Sequence, residues 1–327
     1  MRRIIVGGLL AATVAITVLQ FSPAADAQSS SCADPVTSAP TGPATVSAVT
    51  KAPFGKVLVV GAGAYAGCSL YLLTSDQLHA LSGADFACSD NANALGLPCD
   101  TVLWPALLTD GAPIAGSGVN PTLLGTVTRT DVLSGRSVQQ VTYAGQPLYR
   151  FVFDESSDEI EGANLFDPVT SPPGTWYLVD PSRGHPATGR AQVQLETAPV
   201  GGTGSDETVL AATMNNDFSL FPDASFPVYT SNADTGHTSV CQGECAAAHW
   251  APVLTSQRPQ AGPGVDQNAL GIIVRDDGTH QVTYNGQPLY LFYGDAYIDG
   301  LPYGTARIDG AGLSTPWGVF NTIPPLP

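Results

Sequence analysis

One decapeptide is written twice. Gln140–Tyr149 reads QVTYAGQPLY and Gln281–Tyr290 reads QVTYNGQPLY, so nine of ten positions agree at a spacing of 141 residues. Identity at that level over so long an interval marks an internal duplication, and any fold must accommodate two copies of one unit.

Asn285-Gly286 is the dipeptide best suited to a type I′ hairpin turn, whose two central residues both need positive φ. Ala144-Gly145 holds the same place in the first copy and fits less well, so that turn is expected to differ. Val141 and Tyr143 alternate onto one face before the turn, and Tyr149, Phe151 and Phe153 do so after it. Pro147 and Pro288 have no N–H to donate and belong at a strand start or an unpaired edge position. Each hairpin then runs into a Tyr-x4-Asp unit, Tyr149 to Asp154 and Tyr290 to Asp295. Two more such units stand at Tyr71–Asp76 and Tyr229–Asp234, so each large repeat holds two.

The chain has 327 residues and a formal net charge of −16, with Lys51 and Lys56 as its lysines. Such a surface argues against nucleic acid and anionic lipid as partners. Residues 1–27 carry the pattern of a secretory signal peptide: Arg2-Arg3, an apolar run from Ile4 to Phe21, and the small-x-small site Ala25-Asp26-Ala27. Gln28 is the expected mature start, and membrane attachment would require the leader to stay uncleaved. Cys32 follows Ser29-Ser30-Ser31 rather than a lipobox, so no lipid anchor is expected there.

Export makes the six cysteines disulfide candidates, with 15 possible connectivities. The repeat narrows them. Trp104 aligns with Trp250, which places Cys99 beside Cys245, and Cys88 then matches Cys241 across an insertion. The expected pairs are Cys241–Cys245, Cys88–Cys99 and Cys32–Cys68.

The remaining divisions follow composition. Residues 28–52 are rich in Ser, Thr, Ala and Pro and read as a disordered linker. Residues 53–180 form the first repeat module, 181–207 a second linker, and 208–327 the second module with a loose Pro-rich tail from Ile323. Trp317–Phe320 is expected to mirror Trp176–Val179 as the closing strand. The fold class is all-β: two pseudo-equivalent antiparallel hairpin repeats with short helical turns in loops, as small barrels or sandwiches or as one propeller-like assembly.

The Tyr-x4-Asp units, the Cys-x3-Cys-Ala before a Trp, and Val-Thr-Tyr-x-Gly-x-Pro-Leu-Tyr together resemble the secreted-repeat lipoproteins with a Yx(F/W/Y)xxD motif. Arg129-Thr-Asp131 and Arg275-Asp-Asp277, each just ahead of a hairpin, suit the same pattern. The resemblance covers residues 54–180 and 208–321. It implies secretion and duplication for a family without an established activity, and it supplies no catalytic residue.

Several constellations bear on chemistry. His237, Cys241, Cys245 and His249 are each four apart and on one helix would share a stripe able to hold a divalent metal such as zinc. Gly243 interrupts that helix, and in an exported chain a disulfide competes for the thiolates. The four motif aspartates, with the acidic loop Asp154–Glu161, suggest a calcium site; the simpler reading is that each caps the turn ending its strand. Tyr143, Tyr149, Phe151, Tyr284, Tyr290 and Phe292 could line a sugar or haem face, although aromatics at period two in a hairpin usually pack inward. No nucleophile elbow, zincin, P-loop or dinucleotide motif is present. The expected function is an exported, non-catalytic envelope or extracellular protein with a structural or binding role. The alternatives are an envelope metal- or cofactor-binding protein and an enzyme with an unrecognised site.

Overall fold

A computed structural model describes residues 32–33, 40–82, 86–89, 99–131, 135–167, 170, 172–201, 203–213, 225–298, 301–302 and 307–325. The leader lies outside them. The protein is all-β, with two short α-helices among the described residues.

In the first repeat, β1 (Thr45–Lys51) and β2 (Gly55–Val60) form a hairpin in which Val46 faces Val60. β3 (Tyr71–Leu73) runs through a 3-10 turn at Thr74–Asp76 into α1 (Gln77–Ser82). A π-helical turn, Cys99–Leu103, leads to β4 (Leu108–Thr109) and β5 (Ile114–Ala115). β6 (Leu124–Asp131) and β7 (Arg136–Tyr143) form the long hairpin, and β8 (Gln146–Pro147) follows the repeated turn. β9 (Leu165–Asp167), β10 (Gly174–Val179) and β11 (Pro186–Ala187) complete the repeat, with β10 paired to β3, β9 and β11.

The second repeat retraces this path. β12 (Gln192–Pro199) and β13 (Asp206–Thr213) form its first hairpin, extended by β14 (Ser225–Pro227). β15 (Tyr229–Ser231) carries the third motif tyrosine. α2 (Glu244–Ala248), β16 (Trp250–Pro252) and β17 (Gln260–Ala261) follow, then the hairpin β18 (Leu270–Val274) and β19 (His280–Tyr284). β20 (Gln287–Pro288) and β21 (Tyr290–Phe292) come after the repeated turn. β22 (Tyr297–Ile298) pairs with β23 (Leu301–Pro302), and β24 (Leu313–Thr315) pairs with β25 (Gly318–Thr322).

The duplication extends to a shared irregularity. β5 lies parallel to β1 with Val46 opposite Ala115, and β17 lies parallel to β12 with Val193 opposite Ala261. Among the described residues each multi-strand sheet draws its strands from one repeat. The modules share a core: Phe166 stacks on Tyr293 at 4.5 Å and touches Phe226, in a cluster with Val193, Leu210 and Leu291.

Both expected linkers need correction. Residues 45–51, assigned to the 28–52 linker, are β1, with Val46 fully buried and hydrogen-bonding partners on both sides. Residues 192–199, assigned to the 181–207 linker, are β12, paired along its length with β13. Val and Thr favour strands even where Ser, Gly and Pro dilute them, and a neighbouring strand decides the outcome. The tail is tied at its start, since the Leu210 amide donates to the Ile323 carbonyl. The two repeated turns are alike: φ is 50° and 81° at Ala144-Gly145, and 49° and 79° at Asn285-Gly286. The expected difference between them is absent because the flanking strand pairing imposes one turn on both sequences.

Candidate functional site

The Tyr-x4-Asp units meet in antiparallel pairs. The Tyr71 amide donates to the Tyr149 carbonyl at 2.9 Å and the Tyr149 amide to the Tyr71 carbonyl at 3.0 Å. In the second repeat Tyr229 stands opposite Tyr290. A local twofold through each Tyr–Tyr pair sends the side chains across it. Tyr71 Oη donates to Asp154 Oδ2 at 2.6 Å, and Tyr149 Oη to Asp76 Oδ2 at 2.6 Å. Tyr229 Oη donates to Asp295 Oδ2 at 2.6 Å, and Tyr290 Oη to Asp234 Oδ2 at 2.9 Å. The partner is each time the aspartate of the other unit.

The second carboxylate oxygen takes a main-chain amide. Asp76 Oδ1 accepts from Ala87 and Cys88, Asp154 Oδ1 from Glu161, Asp234 Oδ1 from Val240, and Asp295 Oδ1 from Asp309. The expected local turn cap is thereby corrected. These aspartates do accept backbone N–H groups, but from segments six to fourteen residues downstream. The motif fastens a loop to a strand pair, and both oxygens of each carboxylate have donors. In the acidic loop, Glu159 accepts the Glu155 and Ser156 amides, and Lys51 Nζ donates to the Ser157 carbonyl.

A buried arginine supports one tie in each module. Arg129 donates to Gln140 Oε1 at 2.7 Å, to Tyr149 Oη at 3.2 Å and to the Cys88 carbonyl at 2.7 Å, and it pairs with Asp100 at 2.6 Å. Arg275 donates to Gln281 Oε1 at 2.6 Å, to the Cys241 carbonyl at 2.7 Å and to Ser239 Oγ at 2.9 Å, and that same hydroxyl lies within hydrogen-bond distance of Tyr290 Oη at 2.8 Å. Gln140 and Gln281 pass the network on to the Leu148 and Leu289 carbonyls. In the sequence both arginines stand just ahead of the hairpins, with no sign of the bonds they make. Their signal was a matched position in each copy of a chain with few cations.

Burial acts on all four ties in the same direction. Burial lifts the Asp154 carboxyl to about 7 and Asp295 to about 8, against the pull of their tyrosine and amide donors and, at Asp154, of the Lys51 charge. Burial also raises Asp76 and Asp234, but there the tyrosine, the amides and an arginine charge oppose it. Burial drives all four motif tyrosines upward, so they remain protonated donors at neutral pH.

The aromatic set lies in the core. Tyr143, Tyr149, Phe151, Tyr284 and Tyr290 are buried and Phe292 is half-buried. Trp104 stacks on Trp176 at 3.7 Å, with Tyr149 edge-on to Trp176. Trp250 stacks on Phe320 at 3.8 Å, with Tyr290 edge-on to Phe320. Phe320, and not Trp317, therefore takes the place of Trp176, which shifts the expected match of the closing strands by three residues.

The six cysteines form Cys32–Cys68, Cys88–Cys99 and Cys241–Cys245. The last bond corrects the metal alternative: it removes both thiolates from the set His237, Cys241, Cys245 and His249. α2 begins only after Gly243, so the four share no helix, and both histidines are exposed. Among the described residues no group of three or more His, Cys, Asp or Glu side chains is placed to hold a metal ion. No helix there is long and apolar enough to cross a membrane.

Comparison with known proteins finds one family model. Lipoprotein_15, described as a secreted repeat of unknown function, matches residues 271–300. That span holds the second hairpin and the last Tyr-x4-Asp unit, and it is consistent with an exported repeat protein. No curated protein and no solved structure matches the chain.

Proposed function

We propose that this chain is an exported, non-catalytic protein of the cell envelope or extracellular space with a structural or binding role, in which the Tyr-x4-Asp motif is a folding device. One observation carries the reading. All four motif pairs are buried and hydrogen-bonded to one another, with the remaining carboxylate oxygens and both arginines engaged by the protein's own groups. The phenols and carboxylates engaged in this way have little capacity left for a substrate. Three disulfides and the secreted-repeat match support a location outside the cytosol.

The test expresses the precursor in a bacterial host, fractionates the cells, maps thiols by mass spectrometry, and assays the product on ester, glycoside and peptide substrates. The reading requires a chain lacking residues 1–27, in the envelope or medium, fully oxidised and without turnover. Cytosolic protein with free thiols, or turnover abolished by Asp154→Asn, would overturn it.

A further inference from the structure

A polar cleft of about 390 Å³ opens on the seam between the two modules. Asp180, Ser182, Arg183 and His185 enter it from the first module, and Ser256 and His280 from the second. Domain seams are where small ligands commonly bind. The cleft gathers one arginine and two of the five histidines of a chain whose net charge is −16.

Both walls are held by main-chain bonds. The Gly184 amide donates to the Asp180 carbonyl at 2.8 Å and the Asp180 amide to the His185 carbonyl at 2.9 Å, closing the turn that carries Arg183 and His185. Across the seam, the Ser256 amide donates to the Gly189 carbonyl at 2.8 Å and the Thr255 amide to the His280 carbonyl at 3.0 Å. Gly278, at φ 81°, sits in the β18–β19 turn beneath the first-module side chains. A Cβ there would lie 3.2 Å from the His185 ring and 3.5 Å from the Arg183 guanidinium.

We infer that this cleft binds a carboxylate-bearing, hydroxyl-rich ligand of the acidic-saccharide class, such as a uronic-acid residue. The Arg183 fork matches a carboxylate in two-point contact, and His185 and His280 supply further donors. Asp180, whose Oδ1 already takes the Ser182 amide, supplies a carboxylate acceptor for sugar hydroxyls and disfavours a bare dianion such as phosphate. Among the described residues the lining holds no Trp, Tyr or Phe on which a neutral sugar ring would stack. The inference gives a ligand class to the binding role proposed above and rests on that role. Its failure is distinguishable, because fractionation and thiol mapping do not depend on ligand.

The experiment titrates D-glucuronate into the oxidised exported protein by calorimetry, with D-glucose and inorganic phosphate in parallel. The expected result is saturable glucuronate binding, about tenfold or more tighter than either control, and reduced about tenfold or more in Arg183→Ala/His280→Ala. Both side chains are exposed or on loops, so the variant should keep its melting temperature. If it does not fold, NMR shifts of the His185 and His280 ring protons in the unmodified protein report the same site. No saturable heat, undiminished binding by a folded variant, unmoved ring protons, or phosphate binding as tight as glucuronate would overturn the assignment.

Discussion

Tyr71 and Asp154 stand 83 positions apart, yet the buried phenol of one donates to the buried carboxylate of the other at 2.6 Å. Tyr149 and Asp76 return the same bond in the opposite sense. A motif written locally is therefore satisfied non-locally, by antiparallel pairing of two copies. This explains why each module carries the motif twice.

Removing one phenol tests that relationship. Tyr71→Phe leaves Asp154 with the Glu161 amide as its remaining strong donor, and Tyr229→Phe leaves Asp295 with Asp309. Each variant is expected to lose about 1–3 kcal/mol of stability, the cost of stranding a buried acceptor, with aromatic packing retained. Urea unfolding followed by fluorescence measures it. An unchanged midpoint would show that the bond contributes nothing.

The raised carboxyls make stability depend on pH. Asp154 at about 7 and Asp295 at about 8 exceed the ordinary aspartate value of 3.8. Between that value and the raised ones, the folded state keeps protons that the unfolded chain has released. Stability from these groups is then greatest near pH 4 and falls as pH rises toward 8. Melting temperatures across pH 4–9 should decline over that window, and Asp154→Asn with Asp295→Asn should flatten the decline. A profile rising from pH 5 to 8 would contradict the assignment.

Much of the fold was legible because it depends on local signals. Asn285-Gly286 announces its hairpin, and Trp104 and Trp250 set the alignment that leads to the three disulfide pairs. What was hidden depends on partners distant in sequence. β1 reads as linker until β2 and β5 bracket it. The aspartates look like turn caps because the tyrosine each accepts from lies in the other unit. Trp317 draws the eye as the counterpart of Trp176, yet β25 pairs with β15 so that Phe320 arrives at that place. The inter-module cleft has no motif, since its histidines come from opposite sides of the seam.

The two arginines should differ in consequence. Arg129→Met leaves Asp100 buried without the guanidinium 2.6 Å away, together with the Gln140 and Cys88 oxygens it served. About 3–5 kcal/mol of lost stability is expected. Arg275→Met is expected to cost less, about 1–3 kcal/mol, because its carboxylate neighbour Asp277 is 3.8 Å away and half exposed. Equal urea midpoints for the two variants would show that Asp100 is not what separates them.

Ala144 carries a φ of 50°, where a residue with a Cβ is strained. Ala144→Gly is expected to raise stability by about 0.5–1 kcal/mol, since the native conformation suits glycine. A thermal melt measures the shift, and a lower melting temperature would place the strain elsewhere.

The most direct measurement is a pair of double-mutant cycles in urea. One combines Tyr71→Phe with Asp154→Asn, across the two units. The other combines Tyr71→Phe with Asp76→Asn, within one unit. The exchange predicts a coupling of about 1 kcal/mol or more in the first and close to zero in the second. The reverse order, or no coupling in either cycle, would contradict it.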